Sequence, residues 1–220
     1  GRGQVLLNMT PVELKNFLIS EGLGDSIAYF EASQLDIVEM TNKAMKAIDP
    51  NFIRGDINLI SSTIQRASAS VFDDSVIPSL SKSIKDAVNT TAIIGSTKAP
   101  LDALAQSFQK ATSANTTQAR LKISEFGRSV QAINADQAGI DLFMYVGPKD
   151  GITRPFCRKL VGKILSKSQI NKLNNGQGAG PVLTAGGGYN CRHSWSPVSK
   201  GFIKVMDLTV ASDSEIKDLT

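Results

Sequence analysis

Through the first two thirds of the chain, apolar residues recur at helical intervals, and near residue 142 that period gives way to short continuous apolar runs. Thr10-Pro11-Val12-Glu13 has the form of a helix start: a capping hydroxyl, a proline at the first helical position and a glutamate three residues after the cap, with Gly22 as the stop. Asp25 predicts the cap of a second helix carrying Ile27, Phe30, Val38, Met45 and Ile48, ended by Asp49-Pro50. The narrowest stripe follows, with Ile57, Ile60, Ile64, Ala67 and Val71 on one helical face, so that this seam must pack on its own core or on another subunit. Further stretches run through Leu80, Ile84 and Val88 after Pro78, through Leu101, Leu104 and Phe108 after Pro100, and through Ile123, Phe126, Val130 and Ile133. About six helices joined by short polar connections predict a bundle.

From Leu142 the pattern changes. Leu142 to Val146 reads as a buried strand ended by Gly147-Pro148, and Gly162 to Leu165 as a second, shorter one. Ser166 or Ser168 can cap a brief helix through Ile170 and Leu173, closed by Asn174-Asn175-Gly176. Gly178, Gly180 and the run Gly186-Gly187-Gly188 predict loops, and Phe202 to Val210 a closing strand. The fold class expected is mainly α: a helical N-terminal region over residues 1–139, suited to docking partners, and a small, basic, Gly-rich α+β module over residues 140–220, with the boundary near Gly139.

Charge sharpens that division. Residues 1–140 carry 13 basic and 14 acidic groups, whereas residues 141–204 carry 10 basic and 2 acidic, a local excess of +8 within a chain of net charge +4. The same segment holds 10 of the 18 glycines. Its cations include Arg154, Arg158, Lys159, Lys163, Lys167, Lys172 and Arg192, which suit phosphates of nucleic acid or an acidic protein patch, sequence-independently in either case. A composition of 41% apolar and 20% charged residues argues against collagen-like and fully disordered classes. No apolar run reaches the roughly 18 residues of a membrane span. The Gly1-Arg2-Gly3 start lacks the apolar core of a secretory signal and reads as a fragment of a longer chain or a processed start.

Both cysteines, the single histidine and the single tryptophan fall in this module. So small and glycine-rich a segment buries little apolar surface, and something else must tie its halves together. Three ties are open. Cys157, Cys191 and His193 can ligate a metal, with Asp150 as a fourth donor, and zinc suits that set. Alternatively Cys157 and Cys191 form a disulfide closing a loop of roughly 35 residues. Or the thiols pack as small hydrophobes while Asp150 and the arginines make charge-assisted hydrogen bonds across the loops.

These residues also carry a resemblance. Tyr145-Val146-Gly147-Pro148, Asp150, Thr153-Arg154-Pro155-Phe156-Cys157, Gly162, and then Gly188-Tyr189-Asn190-Cys191-Arg192-His193 with Pro197 are similar to the C-terminal signature of tailed-phage minor head proteins, the Mu F-like head morphogenesis family. The corresponding positions are Asp150, Thr153, Cys157, Gly162, Asn190, Cys191, Arg192, His193 and Pro197, within about 60 residues of the chain. Where many members carry a further cysteine or histidine, this chain has Arg154 and Tyr189. The resemblance implies a low-copy structural protein of a virion, assembled in the host cytoplasm, associated with portal or capsid proteins and with head assembly or DNA delivery.

Two other readings stand beside it. A free, sequence-independent nucleic-acid-binding protein is the alternative. Catalysis would have to use His193 as its imidazole with Cys191 or Cys157 as nucleophile, and the sequence supplies no evident oxyanion hole, so a non-enzyme is expected. The glycine runs lack the Gly-Lys-Ser/Thr end of a phosphate loop.

Overall fold

The computed structural model describes residues 8–94, 98–178 and 180–217; the chain start and the side chains of Leu101, Leu104 and Phe108 lie outside the described set. The protein is mainly helical, with a small antiparallel sheet of three strands in its C-terminal region.

Helix α1, Pro11–Leu18, begins with the expected reciprocal cap. Glu13 N–H donates to Thr10 Oγ1 at 3.3 Å, and Thr10 N–H donates to Glu13 Oε2 at 2.8 Å. Its continuation is a π-helical turn, Ile19–Leu23, where Gly22 adopts φ 105° and breaks the helical path. Helix α2, Gly24–Ile48, follows at once, so Asp25 lies inside its first turn rather than ahead of it. Asp56 caps α3, Ile57–Val71, accepting from the N–H groups of Asn58 and Leu59 at 2.9 and 3.1 Å. A second π-helical turn, Phe72–Val76, leads into α4, Ile77–Ile94, and α5 runs from Lys98 to Gln137.

Helix α5 corrects the expected helix number. The stretches after Pro100 and around Ile123 are one helix of 40 residues. Residues 109–122 contain neither glycine nor proline, so nothing interrupts the backbone ladder, and Pro100 sits in the first turn, where its missing N–H leaves no bond unmade.

The chain forms two compact units, one of residues up to Ser33 with Gln65–Lys122, the other of Gln34–Ile64 with Ile123–Thr220. In the first, Leu14, Phe30, Val71, Phe72 and Ile77 are buried, and Phe30 meets Phe72 edge to face at 5.6 Å. Lys15 pairs with Asp73 at 2.7 Å. In the second, Ile60, Phe126 and Val130 form one cluster with Ile37, Val38, Ile64 and Ile133 around it. The stripe on α3 is thus largely buried within the chain, with Ile60, Ala67 and Val71 inside and Ile57 exposed at the helix start.

The larger cluster of the second unit is built on the sheet. Strand β1, Leu142–Val146, lies between β2, Ile164–Ser166, and β3, Ser194–Pro197, antiparallel to both. Phe143 stands opposite Leu165 and Pro197, and Tyr145 opposite Trp195. Their shared face is buried, as period-2 alternation requires, while Val146 is exposed. The connections are short helices: α6, Pro155–Leu160; α7, Lys167–Ile170, capped by Ser166 with Gln169; and α8, Val182–Ala185.

Three boundaries differ from expectation. Gly162 belongs to the turn before β2, at φ 85°, where its N–H donates to the Tyr145 carbonyl at 2.9 Å. Residues Phe202 to Val210 do not form a strand. Ser199 caps helix α9, Lys200–Val205, and only Val210 makes a single bridge, to Ile164; helix α10, Asp213–Lys217, follows. Phe202, Val205 and Met206 are exposed and offer no buried face, whereas Trp195 and Pro197 are buried and occupy the edge of β1. Finally, helix gives way to strand on either side of Gly139, but the compact units do not divide there. The last turns of α5 supply Ala132 and Ala135 to the same cluster as the sheet, so a cut at residue 139 would pass through one core.

Phe143 is fully buried at the centre of that cluster. Phe143→Ala is expected to lower unfolding stability by about 3–5 kcal/mol, read from denaturant unfolding of the full chain.

Candidate metal centre

Two segments far apart in sequence build the centre. Thr153 anchors the first: its hydroxyl lies 3.0 Å from the Pro148 carbonyl and 2.9 Å from Asp150 Oδ1, and accepts from Asp150 N–H at 3.0 Å. That tight turn presents Pro155 at the first position of α6, whose first turn carries the buried Cys157 inward. The second segment leaves α8 through Gly186-Gly187-Gly188 and turns again at Asn190, which is exposed and left-handed at φ 55°. Cys191 and His193 then lie just ahead of β3.

Glycine is required where the segments meet. A Cβ on Gly187 would collide with Cys157 Sγ, and one on Gly147 would collide with the His193 ring. With hydrogens there, Cys157 Sγ and Cys191 Sγ lie 3.8 Å apart, and Cys191 Sγ lies 3.8 Å from His193 Nδ1. All three donor atoms fall within 4.8 Å of one another, so this cluster could hold a metal ion.

The imidazole is set for that role. His193 Nε2 lies 2.7 Å from the Pro148 carbonyl, which can only accept, so Nε2 carries a proton and Nδ1, on the side of the thiols, is the nitrogen placed to ligate a metal. A backbone carbonyl on the far nitrogen is one of the usual partners of a metal-ligating histidine. Tyr145 stacks on the ring at 5.3 Å, nearly parallel, and meets Trp195 on strand β3 at 4.5 Å.

The two thiols are inequivalent. Cys191 is held well below the ordinary thiol range, chiefly by the hydrogen bond from Cys157, then by the His193 N–H, the Tyr145 hydroxyl and the Gly187 N–H, against the effect of burial. Cys157 is pushed far up by that same bond to Cys191 and by burial. The first proton lost therefore leaves a thiolate on Cys191 with the Cys157 S–H donating to it. The Tyr145 hydroxyl lies 3.4 and 3.6 Å from the two sulfurs, and burial with these contacts keeps the phenol protonated.

Asp150 is not a fourth ligand. Its carboxylate receives both arms of Arg192, at 2.7 and 2.8 Å, and it is held well below the usual carboxylate range by those bonds and by Thr153. The other motif positions shape backbone: Gly162 the turn into β2, and Pro197 the end of β3 opposite Phe143. Arg154 donates to the carbonyls of Gly187 and Tyr189, and Arg158 to those of Asp150 and Thr153. Lys163 meets Glu215 at 3.6 Å and Lys167 meets Asp136 at 2.6 Å, while Lys159 and Lys172 are exposed.

The chain matches no family model, no curated protein and no solved structure. The centre therefore rests on its own residues. One of them escapes sequence reading: Arg128, buried on α5, donates to the carbonyls of Cys191 at 2.7 Å and Thr184 at 3.2 Å. One turn from it on the helix lie Ser124, Glu125, Gln131 and Ala132, a mostly polar set that does not tell a partner from solvent. Gly187 is legible only as one glycine of a run.

The Asp150–Arg192 pair sets an acid response. A carboxylate with a lowered folded value contributes stability that is complete above its ordinary value, near 4, and is lost as pH falls toward the lowered one. Asp150→Asn is expected to be less stable at neutral pH and to flatten the stability–pH curve below about pH 4, measured by denaturant unfolding across that range.

Proposed function

We propose that this chain is a non-enzymatic structural component of a tailed-phage particle, a minor head protein acting at the portal or inner capsid. Its C-terminal module is a rigid docking piece held by zinc at Cys157, Cys191 and His193. The observation that carries this reading is the convergence of the two halves of the motif: Asp150 reaches Arg192, Arg154 reaches the carbonyls at 187 and 189, and Cys157 reaches Cys191, each across more than thirty residues of chain. The residues that carry the family resemblance are thus the ones that cross-tie the module.

Zinc suits the donors. With zinc–sulfur bonds of about 2.3 Å, a tetrahedral site spaces its sulfurs about 3.8 Å apart, and the two sulfurs here are 3.8 Å apart. Backbone N–H groups of Gly187 and His193 directed at Cys191 Sγ favour the thiolate that a metal needs. Structural rather than catalytic use is favoured by the surroundings of the nucleophile: a second thiol, a buried phenol and backbone N–H groups, with His193 tied to a carbonyl.

Free nucleic-acid binding is supported less. Lys163, Lys167 and Arg192 face carboxylates of the chain itself, and Arg154 and Arg158 face its carbonyls, so much of the local positive charge serves the fold.

Two measurements test the reading. Quantitative mass spectrometry of purified particles is expected to find a fixed copy number per virion; recovery only from the soluble fraction would overturn the assignment. Titration against a chromophoric chelator is expected to find one zinc per chain, with both thiols retained in the non-reduced intact mass. Cys191→Ser and His193→Gln are each expected to lose at least tenfold in zinc affinity.

A further inference from the structure

The zinc reading leaves one coordination position unaccounted for. Among the described residues, three ligand groups gather at the centre, and a closed structural zinc site has four. The side toward Gly187 is shut, since even a methyl group there would strike Cys157 Sγ. On another side Cys157, Cys191 and His193 all line one cleft of about 220 Å³, walled also by Thr153, Arg154 and Arg192. The position left by the chain's own donors therefore faces a space that an outside group can enter.

The charges of that cleft select the group. Two thiolates cancel a divalent ion and the imidazole adds nothing. Arg192 is neutralised by Asp150. Of the two cations lining the cleft, Arg154 is the one that meets no carboxylate among the described residues. Its two recorded bonds go to the carbonyls of Gly187 and Tyr189, leaving three of the five guanidinium N–H groups for another acceptor. A bound metal with Arg154 beside it thus carries one net positive charge, matched by a singly charged anion with two acceptor atoms, one for the metal and one for the guanidinium.

The geometry points to a carboxylate from outside the chain as the fourth ligand at this centre, held jointly by the metal and Arg154. In a docking module its natural source is a glutamate or aspartate side chain of a partner protein, which would make the metal a bridge between chains; a free small carboxylate shares the chemistry. This inference rests on the metal reading above and adds to it the class of the missing ligand.

Cobalt(II) reports both steps separately, because its visible absorption follows the coordination shell. The chain is loaded with one equivalent of cobalt and titrated with acetate and, in a parallel arm, with N-acetyl-glutamate amide. A saturable change in the visible bands is expected in both arms, with the glutamate derivative binding more tightly if the ligand comes from a protein side chain and acetate at least equally if it is a free anion. Arg154→Gln is expected to weaken carboxylate binding by about tenfold, measured on the cobalt-loaded fraction, and Arg154→Lys to restore part of the loss. Cobalt that binds but whose bands ignore both carboxylates would overturn the fourth-ligand proposal and leave the metal reading standing. A chain that takes up no cobalt would overturn both.

Discussion

The C-terminal module depends on the contact between the turn at residues 150–158 and the loop at residues 187–193. Three kinds of interaction are stacked within it: a bidentate carboxylate–guanidinium pair, arginine bonds to backbone carbonyls, and two sulfurs and an imidazole in mutual reach. They support one another geometrically. The Pro148 carbonyl that receives His193 Nε2–H also bonds the Thr153 hydroxyl, so the same turn that presents Cys157 fixes the tautomer of the imidazole facing Cys191. The sheet and the short helices of its connections share one buried core, and these contacts hold the irregular loops that lie outside it.

This arrangement changes the meaning of the positive charge. Counted along the chain, the module is a basic segment of the kind that attracts phosphates. In space, many of those cations are spent on the fold: guanidinium groups satisfy carbonyls that irregular loops cannot pair in ladders, and two lysines close onto carboxylates from α5 and from the C-terminal segment. The exposed pairs contribute modestly to stability. Their larger effect is to fix loop conformation around the sulfurs, which a metal site requires of its surroundings.

Much of the local structure is legible in the sequence because local physics decides it. Thr10 with Glu13 and Ser166 with Gln169 make reciprocal caps that need no tertiary context. Leu142 to Val146 alternates about a buried face and is a strand end to end. The misreadings fall where local signals were balanced. Residues 109–122 carry a weak apolar pattern but no breaker, so α5 runs on; Phe202 to Val210 has strand-forming residues, yet Ser199 offers a cap and the edge of β1 was already taken.

Residue type and order alone determined the helical class, the switch to strands near residue 142, and the short roll of side chains able to do chemistry, because caps, periodicity and donor atoms are properties of neighbours along the chain. Tertiary structure alone decided which of those side chains meet. It gave Asp150 to Arg192 instead of to the sulfurs, brought Arg128 from the helical region onto the Cys191 carbonyl, and made Gly187 indispensable. Each of these is a question of a few ångströms between segments tens of residues apart, and such distances are set by the packing of the whole unit.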